Sequence, residues 1–231
     1  MNRLDRKIVL ITGARGGLGN AVTTKCLDEG AAVIGVSRSI RAEDFPHARF
    51  TAMPAGLSNV DAARQVADRI VAAHGRIDAL IHVVGGFEGG PGIADTDDAV
   101  IDRMLDLNYR SAFHIARAVL PHMRKQGSGR IVAVASRQAV APAAGVGAYS
   151  ASKAALVSLM GTIAIENQDR GITANSVLPG TMDTPANRAA MPGADGSHWV
   201  QPASVAELLV FLASDAASQI TGAAIPVYGL A

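Results

Sequence analysis

The chain has 231 residues, a formal net charge of +1, and a composition that is 49% hydrophobic but only 4% aromatic. That near-neutral balance offers no charge excess for nucleic acid or an anionic membrane, and the apolar share is too high for a disordered chain. The single cysteine, Cys26, excludes an intrachain disulfide and suits a reducing cytoplasm, and the six scattered histidines show no metal-ligand spacing, so no metal is expected.

Residues 1–7 lack an apolar signal core, and no apolar run reaches the ~18 residues of a membrane span. Residues 7–12 read as a short buried strand followed at once by glycines. Residues 17–29 read as a helix closed by Gly30, and residues 32–37 as a second strand. Residues 59–74 have helical spacing (Val60, Ala63, Val66, Ala67, Ile70) and end at Gly75. Residues 79–84 form a third strand. Residues 97–125 form a helix with an irregularity expected at Pro121, and residues 130–135 a fourth strand. Residues 148–169 read as a helix, 171–178 as a strand, 202–214 as a helix and 223–227 as a last strand. Strand–helix alternation with apolar strands predicts an α/β fold. The expected form is a Rossmann-type, doubly wound, mostly parallel sheet of about seven strands with helices on both faces. No linker divides residues 1–231, so a single domain is expected, with a short substrate lid around 184–200.

Thr12-Gly13-Ala14-Arg15-Gly16-Gly17-Leu18-Gly19 lies between the first strand and the first helix. Glycines there permit a sharp turn and close approach of a pyrophosphate, and the helix start offers free N–H groups and a positive dipole end. The second strand ends in Ser37-Arg38. An acidic residue at this place would hold ribose hydroxyls; instead Arg38 offers a planar fork for a 2′-phosphate, with Arg15 adding charge nearby. The expected cofactor is therefore NADP(H), favoured over NAD(H).

Tyr149 and Lys153 stand four residues apart at a helix start and share one face. A free phenol titrates near ~10, and lowering it to about 7 requires roughly 4 kcal/mol. One ammonium at ~4 Å supplies about that much at an effective dielectric of ~20, so lysine and a cationic nicotinamide ring suffice in magnitude. Ser136, thirteen residues before Tyr149, ends the strand 130–135 and could hold a carbonyl or alkoxide oxygen.

Taken together, these residues resemble the short-chain dehydrogenase/reductase family along nearly the whole chain. Gly13, Gly17 and Gly19 match its T-G-x-x-x-G-x-G turn; Ser136, Tyr149 and Lys153 match its catalytic triad; Asn108 matches its active-site asparagine. Pro179, Gly180 and Thr184 match its P-G-x-x-x-T segment, and Gly85 the end of its N-N-A-G motif. The resemblance implies that Lys153 also holds the nicotinamide ribose, that Asn108 supports a proton-relay water, and that the threonine segment holds the carboxamide. It implies hydride transfer between nicotinamide and a carbonyl or alcohol carbon of a small molecule.

Two places depart from the family pattern. His82-Val83-Val84-Gly85 stands for N-N-A-G, with His82 expected as a satisfied strand residue, and Gly56 stands where an adenine-side aspartate is common. Segments 13–19, 84–90, 183–188 and 191–199 are also similar to quinoid dihydropteridine reductases, which makes a pterin-type reductase the alternative activity. A non-catalytic NADP(H)-sensing protein is the alternative of another class. Phe87 and Trp199 could wall a flat substrate, or could simply pin loops. The helix after Tyr149 is apolar nearly all round, which predicts a homodimer or homotetramer through it and the helix 97–125.

Overall fold

The computed structural model describes residues 2–229. Seven strands are all parallel: β1 (Ile8–Thr12), β2 (Ala32–Ser37), β3 (Phe50–Pro54), β4 (Ala79–His82), β5 (Gly129–Val134), β6 (Ile172–Pro179) and β7 (Ala224–Val227). Their order across the sheet is β3-β2-β1-β4-β5-β6-β7, so the winding reverses between β1 and β4. Ligands of such sheets bind outside the carboxyl ends of the strands at that reversal.

One face of the sheet is covered by α1 (Gly17–Asp28) and α7 (Pro202–Ala213), which pack on Val9, Ile11, Val33, Ile81, Val132 and Val177. The other carries α2 (Val60–His74), α4 (Ser111–Gln126) and α5 (Gly147–Asn167) over Leu10, Ile34, Leu80, Ile131 and Ala174. Buried residues alternate between the two clusters along the central strands, as a two-sided sheet requires.

The six strands and the helices expected from the sequence are all present. The unlocated strand is β3, at the sheet edge, where of five residues only Met53 is buried. The expected helix 97–125 is divided: α3 (Asp98–Leu105) passes through a π turn at Asp106–Arg110 into α4. Pro121 lies inside α4 without ending it, so the irregularity falls at Asn108 and not at the proline. The helix expected at 148–169 is α5, which extends in a short turn to Arg170. By length and composition Gly147–Arg170 could cross a membrane, contrary to the expectation that no segment would, although 44% of its apolar 18-residue stretch is buried within this fold. Its apolar character comes chiefly from Leu156, Val157, Leu159, Met160, Ile163 and Ile165, and it also carries the buried Lys153.

Between β6 and α7 the chain makes an excursion that contains the short α6 (Pro185–Ala190). Its ends are tied: Asp183 N–H donates to Val200 O (2.8 Å) and Val200 N–H to Thr181 O (2.8 Å).

Candidate active site

The glycine turn is built where β1 and β4 diverge. Gly13 has φ +72°, and a Cβ there would lie 2.9 Å from Val84 N, so both conformation and space demand glycine. A Cβ at Gly19 would strike Gly13 O at 2.0 Å, which lets α1 pack directly on the turn. A Cβ at Gly17 would meet Thr184 at 3.1 Å, so the turn and the Pro179–Thr184 segment face each other across a narrow gap. The first turn of α1 has no capping side chain and no acidic residue, with Gly16 at its N-cap and Leu18 packed into the core. Its N–H groups are therefore left for a ligand, which fits a pyrophosphate.

Beside this cradle, Ser37 is half-buried and Arg38 exposed. A Cβ on Gly56 would lie 3.9 Å from Arg38 Cγ, so the backbone at the place of the missing adenine-side carboxylate runs along the arginine stem. Arg15 pairs with Asp44 (3.3 Å) and donates to Ser39 Oγ (3.0 Å), so it is less free than Arg38 to meet a phosphate.

The reacting groups converge from three elements. Ser136 follows β5, buried, with its Oγ accepting from Gln138 N–H at 3.2 Å. Tyr149 and Lys153 occupy the start of α5. Lys153 Nζ donates to Val134 O at 2.9 Å. A Cβ on Gly85 would lie 2.9 Å from Lys153 Nζ and 2.8 Å from Asn108 Oδ1, so these groups crowd one bare Cα. Asn108 sits in the π turn, fully buried. Its Oδ1 accepts from Gly86 N–H (2.9 Å), and its Nδ2 donates to Gly86 O (3.0 Å) and Ser152 Oγ (3.0 Å). Ser152 Oγ in turn donates to Tyr149 O at 2.7 Å. The π turn, the loop after β4 and the first turn of α5 are thus cross-linked, and π turns commonly occur at functional sites.

Burial pushes the Tyr149 phenol above its usual range, and the Ser136 hydroxyl beside it works the other way. Burial also lowers the Lys153 ammonium to about 8. The expected lowering of Tyr149 is thus not present in the chain alone: the lysine amine is bound to Val134 O and is itself desolvated. Tyr149 therefore keeps its proton in the chain alone.

The sequence compares accordingly with known proteins. The short chain dehydrogenase family profile matches residues 7–194. The chain is 31% identical over 250 residues to the 3-oxoacyl-(acyl-carrier-protein) reductase FabG of Thermotoga maritima, covering 98% of each. It is 32% identical over 247 residues to human dehydrogenase/reductase SDR family member 4, covering 98% of this chain and 87% of that one. A short-chain type dehydrogenase/reductase from Mycobacterium ulcerans superposes with a TM-score of 0.92 at 28% identity, over 98% of this chain and 90% of that one. The chain belongs to the short-chain dehydrogenase family.

As a short-chain dehydrogenase it is an oxidoreductase, and its sequence-expected residues fall into two groups. Gly13, Gly17, Leu18, Gly19, Thr184, Ser37 and Arg38 line the turn and its flank, while Asn108, Ser136, Tyr149, Lys153 and Gly85 surround the reacting position. Gly180 N–H donates to Val227 O at 2.9 Å, which fixes the end of β6 beside β7, with Pro179 paired to Val227. Phe87 packs edge-on against Tyr149 with ring centroids 5.0 Å apart. Trp199 stands apart from this pair. It lies under the Arg188 guanidinium, 4.7 Å away, while Arg188 is fixed to Asp183 at 2.7 and 3.0 Å. That pairing fastens the 183–199 segment to itself.

Sequence reasoning missed Gly86 and Ser152, the partners of Asn108, although Ser152 lies between Tyr149 and Lys153. His82 is the satisfied strand residue expected: it is fully buried, with Nδ1 2.8 Å from Thr12 Oγ1 and Nε2 3.4 Å from Ser111 Oγ. Burial, and next the charge on Lys153, hold its pKa down at about 3, so it stays neutral.

Proposed function

We propose that this oxidoreductase transfers hydride between NADP(H) and the carbonyl or alcohol carbon of a small molecule, preferring NADP(H) to NAD(H). It works in the cytoplasm, without a membrane or nucleic acid, as a homodimer or homotetramer. The observation that carries the chemistry is the convergence of Ser136, Tyr149 and Lys153 beside an uncapped helix N-terminus. The nicotinamide supplies the hydride. The glycine turn and the α1 N–H groups hold the pyrophosphate, and Arg38 holds a 2′-phosphate. Ser136 Oγ fixes the carbonyl oxygen, and the Tyr149 hydroxyl gives that oxygen its proton. Lys153, charged below about pH 8, stabilises the phenolate left behind. Asn108 holds the π turn against α5, and its amide is fully engaged, so its support for a proton-relay water passes through the backbone it fixes. Ser136 beside Tyr149 favours a carbonyl over the quinonoid pterin alternative, in which hydride reaches a ring C=N system and a carbonyl-holding serine matters less.

Following absorbance of NADPH and NADH with a panel of ketones, quinones and dihydropterins tests the activity. Turnover with ketones and NADPH is the expected result. Titration of both cofactors should show NADPH bound at least tenfold more tightly, a preference that Arg38→Asp reverses. Equal wild-type affinities would refute the cofactor preference.

A further inference from the structure

We infer that the substrate is a neutral, flat, apolar ketone seated on Phe87, and that anionic carbonyl compounds are turned away at the mouth of the site. This deepens the carbonyl-reductase reading above and rests on it. Phe87 touches the ring of Tyr149, yet 67% of its surface is open. Ile93, further along the same loop and against Gly147 at the start of α5, is 76% exposed. Large apolar side chains left open beside a reacting phenol mark a surface that gains by being covered, at roughly 25 cal/mol per Å².

The ring is also held in place. Gly90 N–H donates to Gly145 O at 2.8 Å, lacing the loop after β4 to the loop before α5. A Cβ on Gly89 would lie 2.8 Å from Gly145 O, 2.9 Å from Val146 Cγ1 and 3.3 Å from the Phe87 ring, and a Cβ on Gly147 would run into Ile93. Only bare glycines let these loops meet so closely, and the result is a fixed aromatic wall next to Tyr149. Such a wall favours a flat partner in offset or edge contact.

Charge at the mouth points the same way. Between Phe87 and Arg103 the chain carries five carboxylates (Glu88, Asp95, Asp97, Asp98 and Asp102) against one cation, Arg103. Arg103 is committed to Glu88 at 2.6 and 3.0 Å. On the opposite side, Arg137, which follows Ser136, keeps its charge but is drawn over the Tyr228 ring at 5.2 Å, and Arg188 is paired with Asp183. An anion approaching Phe87 along the 87–103 segment therefore meets a net negative balance, with Glu88 alone paired to Arg103, and a phosphate- or carboxylate-bearing substrate is disfavoured.

Three α-keto compounds isolate the two claims: methyl benzoylformate (neutral, aryl), benzoylformate (anionic, aryl) and methyl pyruvate (neutral, small). With the full chain and NADPH, kcat/KM for methyl benzoylformate should exceed each of the others at least tenfold. Benzoylformate alone should gain as salt rises from 10 to 300 mM. Phe87→Ala should raise KM for methyl benzoylformate at least tenfold more than for methyl pyruvate. Calorimetry of methyl benzoylformate binding to the enzyme–NADP+ complex should show the same loss. Turnover of all three without discrimination, or an unchanged KM ratio in Phe87→Ala, overturns the inference and leaves the carbonyl-reductase reading standing. Phe87-dependent binding without turnover of any carbonyl overturns the carbonyl-reductase reading, and the ketone substrate with it, and leaves only the apolar site at Phe87. Neither binding nor turnover overturns both.

Discussion

At the scale of single residues, the site rests on groups that burial has moved from their ordinary behaviour. Tyr149→Phe removes the transferable proton but leaves the ring packed on Phe87. It should lower kcat at least a hundredfold while NADPH affinity, measured by fluorescence titration, changes less than threefold. Comparable kcat in both proteins would remove Tyr149 from its role. Lys153 titrates at about 8 in the folded chain, so it is charged below that pH and neutral above it. The kcat/KM for ketone reduction should be level to about pH 8 and fall beyond it; a profile flat to pH 10 contradicts the assignment. Gly85→Ala drives a methyl against Lys153 Nζ and Asn108 Oδ1 and should cost activity far more than cofactor binding. The tyrosine–lysine pair was legible in the sequence because four-residue spacing on a helix has a geometric meaning. The crowding at Gly85 was not, since it depends on three segments that meet only in the fold.

At the scale of elements, the end of β4, the end of β1 and the π turn form one hydrogen-bonded unit. His82 links Thr12 to Ser111, and Ser111 Oγ donates to Leu107 O inside the π turn at 2.6 Å. A π turn leaves no compositional trace, so the sequence placed the helix irregularity at Pro121, where a proline rule applies, and not at Asn108. Edge strand β3 escaped for a related reason: it ends in Pro54 and buries little, so it lacks the apolar run that marks the central strands. The His82 link carries a pH cost. Its folded pKa of about 3 lies below the unfolded value of 6.5, so below pH 6.5 the unfolded chain binds a proton that the folded chain refuses. Stability is full above pH 6.5 and is lost as pH falls, by roughly 3 kcal/mol at pH 4 from this group alone. His82→Gln should flatten that decline, read as Tm at pH 4 and pH 7. An unchanged difference between the two pH values would place the acid sensitivity elsewhere.

At the scale of the whole molecule, the doubly wound, parallel form of the sheet was legible because strands joined by helices leave few topologies, whereas the strand order, with β3 at its edge, came only with the structure. What a single chain does not satisfy is the outer surface of α5. Ala151, Ala154, Ser158 and Thr162 are exposed along it, Ala155 is half-buried, and Ile165 is 72% exposed. Ala151, Ala155, Ser158, Thr162 and Ile165 recur every three or four residues, a seam of small side chains that lets a second helix approach closely. Across from it on α4, Phe113 is exposed and Leu120 half-buried, and the flanking charges are partly satisfied within the chain, Arg110 by Asp106 and Arg124 by Glu166 at 3.8 Å. Pairing the two helices with their copies about a two-fold axis places like on like without bringing uncompensated charge to the centre. Burying about 1,000 Å² of apolar area is worth roughly 25 kcal/mol before association and ordering costs, enough to leave a persistent dimer. Bracing α5 would also steady Tyr149 and Lys153 at its start. Light scattering at micromolar concentration should give a mass of two or four chains, and Ile165→Glu, which sets a charge in the seam some four turns from Tyr149, should shift that mass toward one chain. A wild-type mass of one chain would reject the oligomer and with it the role assigned to this face of α5.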